Sequence, residues 1–196
     1  MSKANLLDRR SVVSSLLKDR KGTIAVGGLG ASTYDIAAAG DHDRNLYLWG
    51  AMGGAVMIGL GIALAQPKLP VVVITGDGEM LMGMGSLATV GLQKPGNLSI
   101  VVLDNEAYGE TGGQVSHTAS AADLVGVAKA CGISDVRAMT TLAEVEAFAS
   151  ALQDVSNGPR FANVKIDAAN LERVLSSRDG TFTVNRIRGS LGFKPI

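Results

Sequence analysis

The chain has 196 residues, which is enough for one well-buried α/β domain and too few for two complete ones. Its 18 basic and 18 acidic residues cancel, so the charge balance argues against nucleic acid or an anionic membrane surface as a partner. The single cysteine, Cys131, excludes a disulfide framework and the segment "MSKANLLDRR" lacks a signal-peptide core, so we expect a cytoplasmic protein.

Apolar segments alternate with turn residues along the chain and predict alternating strands and helices. In chain order we predict a lead-in helix at 5–20, a strand at 23–28, a helix at 32–40 capped by Ser32 or Thr33, a helix at 53–65, a strand at 71–75, a helix at 80–92, a strand at 97–105, an irregular polar stretch at 106–118, a helix at 120–132, a strand at 135–139, a helix at 140–155 with a threonine cap and Glu144, and a strand at 160–167. Continuous apolar strands separated by helices indicate a fold of the α/β class, a three-layer doubly wound parallel sheet.

This pattern divides the chain into three parts. Residues 1–21 carry the lead-in helix, residues 22–167 form the main domain, and residues 168–196 form a C-terminal segment. For that last segment we predict a helix followed by an aperiodic tail, "TFTVNRIRGSLGFKPI", which packs on a neighbouring subunit.

One stretch raises the question of a membrane span. Leu46 to Ala65 is 20 residues long without a charge, which meets the length of a spanning helix. Five of these residues are glycine, and "GAMGG" is typical of a turn, so a shorter buried helix is the better interpretation.

Polar groups follow two of the predicted strands. Asp77 stands between Gly76 and Gly78 after one strand, and Asp104 and Asn105 end the next. The spacing from Asp77 to Asn105 suits one strand–helix–strand crossover, so both side chains should emerge at the same edge of the sheet. A carboxylate, an amide oxygen and a backbone carbonyl suit Mg²⁺, and the start of a helix favours a diphosphate. A Gly-Asp-Gly alone is usually a turn, but the two features together predict a metal-bridged diphosphate.

A second glycine pattern allows an alternative. "VGGLGAS", with Gly28 and Gly30, is similar to a dinucleotide fingerprint. It lacks the third glycine, and no acidic residue ends a second strand where ribose recognition needs one. The chain also has no Gly-Lys-Ser/Thr, which excludes a Walker loop.

The segments "YLWGAMGGAVMIGLGIALA", "GDGEM" and "LDNEAYG" resemble, in order and spacing, the diphosphate-binding domain of thiamine-diphosphate-dependent decarboxylases. The resemblance covers roughly residues 22–167. Within that family the sulfopyruvate decarboxylase β subunits and the phosphonopyruvate decarboxylases look most similar, sharing "RNLYLWGAMG", "DNEAYGETGGQ" and a following threonine. The resemblance implies a thiamine-diphosphate- and Mg²⁺-dependent decarboxylation of an anionic 2-oxoacid to an aldehyde.

The resemblance also implies roles for single residues. Asp77, the Asn105 side chain and the Ala107 carbonyl would bind Mg²⁺. The backbone expected to meet the diphosphate is that of Gly76, Gly78 and Glu79.

The pyrimidine and thiazolium rings are expected beside a second group of residues. The Gly50 carbonyl would accept from the cofactor's 4′-amino group, and Met52 would be the apolar wedge that bends the cofactor, although a plain core role suits this methionine equally. Tyr108 is expected beside the cofactor. Tyr108, Thr111 and His117 are the catalytic candidates, with His117 the better of the two histidines for proton transfer.

Two positions depart from the family pattern. The family often has Asn where Asp104 stands, and pyruvate-type decarboxylases place an acid six residues after the metal-binding asparagine. Here that position is Thr111, and Glu110 falls one residue short, so Glu110 is not assigned as the catalytic acid.

The family's activating glutamate lies on a separate pyrimidine-binding domain, for which this chain has no room. The resemblance therefore implies an α subunit that carries this domain, with the active site at the interface. Gln114 and Arg44 are further substrate-neighbour candidates, while a solvated loop and a surface ion pair are the plain alternatives; His42 suits a surface turn. A thiamine-dependent carboligase or oxidoreductase subunit and a non-catalytic assembly module remain open, and one cysteine excludes an iron–sulfur cluster built by this chain.

Overall fold

The computed structural model describes residues 6–196, and among them six parallel strands form the main sheet. The strands of both sheets, numbered in chain order, are β1 (Ile24–Gly27), β2 (Asn45–Tyr47), β3 (Val71–Gly76), β4 (Leu98–Asp104), β5 (Ala107–Tyr108), β6 (Gln114–Val115), β7 (Asp135–Met139) and β8 (Arg160–Lys165). The main sheet has the order β2-β1-β3-β4-β8-β7, and β5 and β6 form a separate antiparallel hairpin. The predicted parallel α/β sheet is confirmed, and β2 is a strand that the sequence pattern did not predict.

Helices cover both faces of this sheet. They are α1 (Arg9–Leu17), α2 (Ala31–Ala38), α3 (Ala55–Ala65), α4 (Asp77–Met82), α5 (Ser86–Gln93), α6 (Leu124–Ala130), α7 (Leu142–Ala151) and α8 (Gly180–Ser190). Side chains of α1, α2 and α7 pack on one face around the buried Phe148. Side chains of α3, α5 and α6 pack on the other face around the buried Phe161. The fold therefore has three layers, as predicted.

The central strands β3 and β4 are buried on both faces, because helices lie above and below them. Their register pairs Gly76 with Leu103, so the two strands end at the same edge of the sheet. The chain leaves β1 towards the edge strand β2 and returns to form β3 on the other side of β1. This reversal is a topological switch point, the place where α/β sheets bind ligands.

Two predicted details near this edge are wrong. The cap of α2 is Gly30, with φ +73°, rather than Ser32 or Thr33. The Thr33 hydroxyl donates instead to the Gly28 carbonyl at 2.7 Å. The helix expected at 80–92 is two helices, because α4 begins at Asp77 and the chain turns at 83–85 before α5.

Elsewhere the structure confirms the predicted cap of α7 and contradicts the prediction for the C-terminal segment. The threonine cap is confirmed, because Thr141 and Glu144 form a capping box at the start of α7. The tail is reversed: residues 168–179 carry no helix, and the stretch expected to be aperiodic forms α8. The polar stretch 106–118 contains the β5–β6 hairpin and two short 3₁₀ turns. The lead-in helix runs from Arg9 to Leu17, and residues 1–5 lie outside the described part.

The uncharged stretch from 46 to 65 contains β2, a turn and the 11-residue α3. Within residues 6–196, none of the helices is long and apolar enough to cross a bilayer.

Candidate active site

A cavity of about 330 Å³ opens at the carboxyl ends of β1, β3 and β4, at the switch point. Three loops and the C-terminal segment enclose it. Its lining includes Leu29, Ser32, Met52, Gly76, Asp77, Gly78, Glu79, Asn105, Ala107, Tyr108, Thr111, Asn170 and Arg173. The fold thus gathers around one cavity nearly all the positions that the sequence singled out.

Asp77 is 2% exposed at the start of α4, directly after β3. Its Oδ2 accepts hydrogen bonds from the hydroxyls of Ser116 and Thr118, the latter at 2.9 Å. Burial raises the pKa of Asp77 and the neighbouring Asp104 carboxylate adds to the rise, while the two hydroxyl donors oppose it. A cation beside Asp77 would relieve this cost and favour the ionised form.

A second buried carboxylate lies close by at the end of β4. Thr118 Oγ1 is 2.8 Å from Asp104 Oδ1, so this hydroxyl bridges the two acidic side chains. Asp104 Oδ2 accepts from Asn163 Nδ2 and pairs with Lys165 Nζ, each at 2.8 Å. Lys165 therefore balances the charge that an aspartate brings to this position.

Asn105 and Ala107 come to the cavity through a tight turn. Glu106 has φ +59°, a left-handed conformation that sends the chain from β4 back into the β5–β6 hairpin. Asn105 Oδ1 accepts from the Ala107 amide at 3.1 Å. Residues 6–196 contain no cluster of three or more His, Cys, Asp or Glu side chains suited to a metal. Asp77 and Asn105 bring a carboxylate and an amide oxygen to the lining of the cavity, and oxygen donors of this kind suit Mg²⁺ better than zinc.

Gly78 is needed because the Tyr108 ring packs on its backbone. A Cβ at position 78 would lie 2.6 Å from Tyr108 Cε1, inside contact distance. A Cβ at Gly76 would meet nothing within 4 Å, so the first glycine of the motif is not required by a protein contact.

Met52 sits on a loop with unusual backbone conformations, since Ala51 and Gly53 both have positive φ. Its side chain is 39% exposed and lines both the cavity and an adjacent open apolar depression. Met52 is therefore not a plain core residue. Gly50 lies on the same loop but lines neither the cavity nor the depression.

The depression brings His117 close to Tyr108. The Tyr108 hydroxyl and His117 Nδ1 are 3.0 Å apart, and both side chains line the depression with Met52. Thr111 Oγ1 lies 3.2 Å from Gln114 Oε1 on the exposed hairpin loop. Of the three catalytic candidates, Tyr108 and Thr111 line the cavity, and His117 reaches the neighbouring depression.

The remaining polar candidates lie elsewhere. Arg44 donates to the carbonyls of Gly22 and Ser190, where it ties α8 to the edge of the sheet, and it does not line the cavity. His42 accepts from the Arg44 amide at 3.0 Å in a turn, as expected.

Sequence reasoning missed the groups that support the site from other elements. Ser116, Thr118 and Lys165 reach the two aspartates, and Arg173 from the C-terminal segment pairs with Glu110 at 3.3 Å. None of these positions belongs to a motif that can be recognised from the sequence alone. The one available signal was the threonine that follows "DNEAYGETGGQ" in the pattern shared with the decarboxylases.

Residues 28–166 match the family described as thiamine pyrophosphate enzyme, C-terminal TPP binding domain. The chain belongs to this family.

Phosphonopyruvate and sulfopyruvate decarboxylases are among the proteins similar to this chain. The chain is 45% identical over 148 residues to the phosphonopyruvate decarboxylase of Streptomyces viridochromogenes, and the match covers 75% of this chain but only 36% of that protein. It is 34% identical over 181 residues to the sulfopyruvate decarboxylase subunit beta of Methanothermobacter thermautotrophicus, covering 92% of this chain and 94% of that one. The corresponding subunit beta of Methanocaldococcus jannaschii is 43% identical over 114 residues, or 58% and 60% of the two chains.

Solved structures agree on the fold. Benzoylformate decarboxylase from Polynucleobacter necessarius superposes with a TM-score of 0.70 at 22% identity, over 86% of this chain and 34% of that one. A thiamin diphosphate-dependent enzyme from Mycobacterium smegmatis also superposes with a TM-score of 0.70.

Proposed function

We propose that this chain is the β subunit of a thiamine-diphosphate- and Mg²⁺-dependent decarboxylase that converts an anionic 2-oxoacid, such as 3-sulfopyruvate or 3-phosphonopyruvate, to the aldehyde. The observation that carries this proposal is the meeting of Asp77, Asn105 and Ala107 at one cavity on the switch point of the sheet. The names of the relatives supply the substrate class.

The residues present fit the implied metal and cofactor. Asp77 is a buried carboxylate whose described partners are hydroxyl donors, and Asn105 offers an amide oxygen at the same cavity. An all-oxygen set of this kind leaves positions for water and phosphate oxygens on Mg²⁺. The backbone at Gly76 lines the cavity with nothing within 4 Å of its Cβ position, so a diphosphate can approach the chain closely there.

The proposed roles follow from these positions. Asp77, Asn105 and the Ala107 carbonyl hold Mg²⁺, and the backbone of 76–79 binds the diphosphate. Met52 reaches from its strained loop to the boundary between the cavity and the depression, where an apolar side chain can support the bend of the cofactor. Bound thiamine diphosphate would supply the electron sink for loss of CO₂.

Tyr108 and His117 are proposed to donate protons to the substrate and to accept protons from it. Their 3.0 Å contact joins a phenol to an imidazole beside the Met52 side chain, so a proton can be held at either atom and passed between them. His117 is exposed in this chain, and a partner that covers the depression would exclude water from the pair.

A separate α subunit is proposed to complete the site. The relative from Methanothermobacter, which this chain matches over nearly its whole length, is named as a subunit beta. The α subunit would bring the pyrimidine-binding domain and its activating glutamate to the open side of the cavity.

The proposal is tested by purifying the tagged chain from its own host in Mg²⁺ buffer and measuring the complex by native mass spectrometry. We expect a co-purifying subunit, a mass increment for magnesium thiamine diphosphate, and release of CO₂ and free aldehyde from sulfopyruvate or phosphonopyruvate. Asp77→Asn should remove the cofactor increment, and Glu144→Gln, a carboxylate change on the remote α7, should leave it in place. A complex that binds no cofactor, or that ligates the product instead of releasing aldehyde, would contradict the assignment.

A further inference from the structure

Glu79 has a side chain that the proposed chemistry leaves without a role. Only its backbone is assigned to the diphosphate, yet its carboxylate is buried, with the residue 5% exposed. Glu79 Oε2 accepts from the Leu29 amide at 2.9 Å and from the Thr75 hydroxyl at 2.8 Å. Its Oε1 accepts from the Gly53 amide at 3.3 Å.

These three donors come from three separate segments. Leu29 follows β1, Thr75 lies near the end of β3, and Gly53 lies on the loop before α3. Leu29 itself lines the cavity, and Gly53 directly follows Met52, which lines it too. One carboxylate therefore joins two walls of the cavity to β3, the strand that leads directly into Asp77.

The carboxylate is held by hydrogen bonds rather than by an ion pair. Among residues 6–196, no lysine, arginine or histidine forms a salt bridge with it. Burying an acidic group without a cation is costly unless several donors surround it. A Cβ at Gly28 would lie 1.9 Å from Glu79 Oε2, so the glycine after β1 makes room for this oxygen. The surroundings are thus shaped around a carboxylate.

We propose that Glu79 is a positioning residue: its carboxylate holds the Leu29 turn and the Met52 loop at the separation that the cofactor cavity requires. The inference deepens the proposed function, because its benefit appears when thiamine diphosphate binds. It concerns the side chain of this residue and assigns it no contact with substrate or cofactor.

A glutamine at this position discriminates the role of the charge from that of the shape. Its single oxygen can still accept from Leu29 and Thr75, but its NH₂ group would face the Gly53 N–H, and two donors cannot bond to each other. The Met52 loop should therefore loosen while the overall packing is kept.

The first test is amide hydrogen exchange of the full chain without cofactor, comparing wild type with Glu79→Gln. We expect exchange at Gly53 to quicken by about tenfold or more, because its amide loses a hydrogen bond to a charged group. Exchange at Leu29 should quicken less, because its amide keeps a neutral acceptor, and the buried amides of β4 should change least. Glu144→Gln is the matched control, because Glu144 is also the third residue of its helix and accepts backbone hydrogen bonds there. Unchanged exchange at Gly53 in Glu79→Gln would overturn the inference.

A milder variant guards against misfolding. Thr75→Val removes one donor to the carboxylate with little change in volume, and we expect a smaller acceleration at the same two amides. If Glu79→Gln does not fold, an absence of any acceleration in Thr75→Val overturns the proposal.

The second test titrates Mg²⁺ and thiamine diphosphate into the purified complex and follows binding by calorimetry. We expect Glu79→Gln to raise the half-saturating cofactor concentration about tenfold, with most of the turnover recovered at saturation, a split that general instability would not produce. Binding as tight as wild type would contradict the positioning role. A wild-type complex that binds no cofactor would instead refute the proposed function, while the exchange experiment still decides whether Glu79 holds the two loops.

Discussion

Because Gly78 has no side chain, the Tyr108 ring can pack directly on the backbone at the start of α4. An alanine there would gain about 0.5–1 kcal/mol in helix propensity but would lose about 1–3 kcal/mol to overpacking against the ring. The larger loss should win, because the ring belongs to the hairpin that carries Ala107 and has no simple escape.

We therefore expect Gly78→Ala to displace the β5–β6 hairpin and to weaken the binding of Mg²⁺–thiamine diphosphate about tenfold or more. Calorimetric titration measures the effect. Gly189→Ala is the control, since a Cβ there meets nothing within 4 Å on α8. Equal cofactor affinity in both variants would show that the hairpin tolerates the shift.

Lys165 neutralises two acidic residues at the end of β4. Its ammonium group pairs with Asp104 at 2.8 Å and with Glu106 at 2.6 Å. Burial lowers the pKa of Lys165, but the hydrogen bonds and charges of the two acids outweigh it, so the pKa lies above its usual value. A raised lysine pKa stabilises the fold below the unfolded pKa of about 10.4, and the contribution disappears as the pH rises through the folded pKa.

Lys165→Met should therefore lower the free energy of unfolding at neutral pH by about 1–3 kcal/mol, because Asp104 loses its cation. The difference from wild type should shrink in the alkaline range, once the pH passes the unfolded lysine pKa of about 10.4 and rises through the higher folded pKa. Urea denaturation at several pH values measures both, with Lys194→Met as the exposed control. A constant difference across the alkaline range would show that the ion pair is not responsible.

At the scale of elements, small residues set the distance between α3 and the sheet. A Cβ at Gly59 would lie 2.2 Å from Val73 Cγ2 on β3, whereas a Cβ at Gly61, two residues along the same helix, would meet nothing within 4 Å. The two glycines of one helix thus have different reasons to be there.

Gly59→Ala should destabilise the protein by about 1–3 kcal/mol through overpacking. Gly61→Ala should stabilise it by about 0.5–1 kcal/mol through helix propensity. Thermal unfolding of the two variants measures the difference, and the same sign for both changes would mean that α3 can move away from β3.

At the scale of the whole molecule, apolar side chains are exposed beside the site. Met82 is 68% exposed and Met52 39% exposed, and both line the apolar depression next to the cavity. Exposed apolar surface of this kind is typical of a protein–protein interface, and the proposed α subunit is the partner that this side of the cavity needs.

Met82→Asp should weaken the association with the α subunit by at least about tenfold, because a charge would be buried without a partner. Leu92→Asp, at an exposed position of α5 that lines neither the cavity nor the depression, should leave association unchanged. Co-purification followed by sedimentation measures both. If both variants associate as wild type does, the α subunit covers another face.

Local patterns predicted much of this architecture because they act over short stretches of chain. Buried strands such as β3 and β4 are mostly apolar over six or seven consecutive residues, and the cap of α7 is a contact between residues three apart. The tail misled the prediction, since α8 takes its place by packing against β2, a strand of three residues too short to show a pattern. The break between α4 and α5 was equally hidden, because it depends on Gly83, where a Cβ would lie 2.2 Å from the Gly53 carbonyl oxygen of a distant loop.

The sequence by itself determined the family, the parallel sheet and the pair of strand ends that carry Asp77 and Asn105. Motif order, strand spacing and apolar runs can all be read from the sequence, because each depends on the order of residues along the chain. Only the tertiary structure decided that Thr118 joins Asp77 to Asp104, that Lys165 balances the second acid, and that Glu79 ties the Leu29 turn to the Met52 loop. These contacts join residues far apart in sequence, and their hydrogen bonds exist only once packing has brought the donors to within about 3 Å of the acceptors.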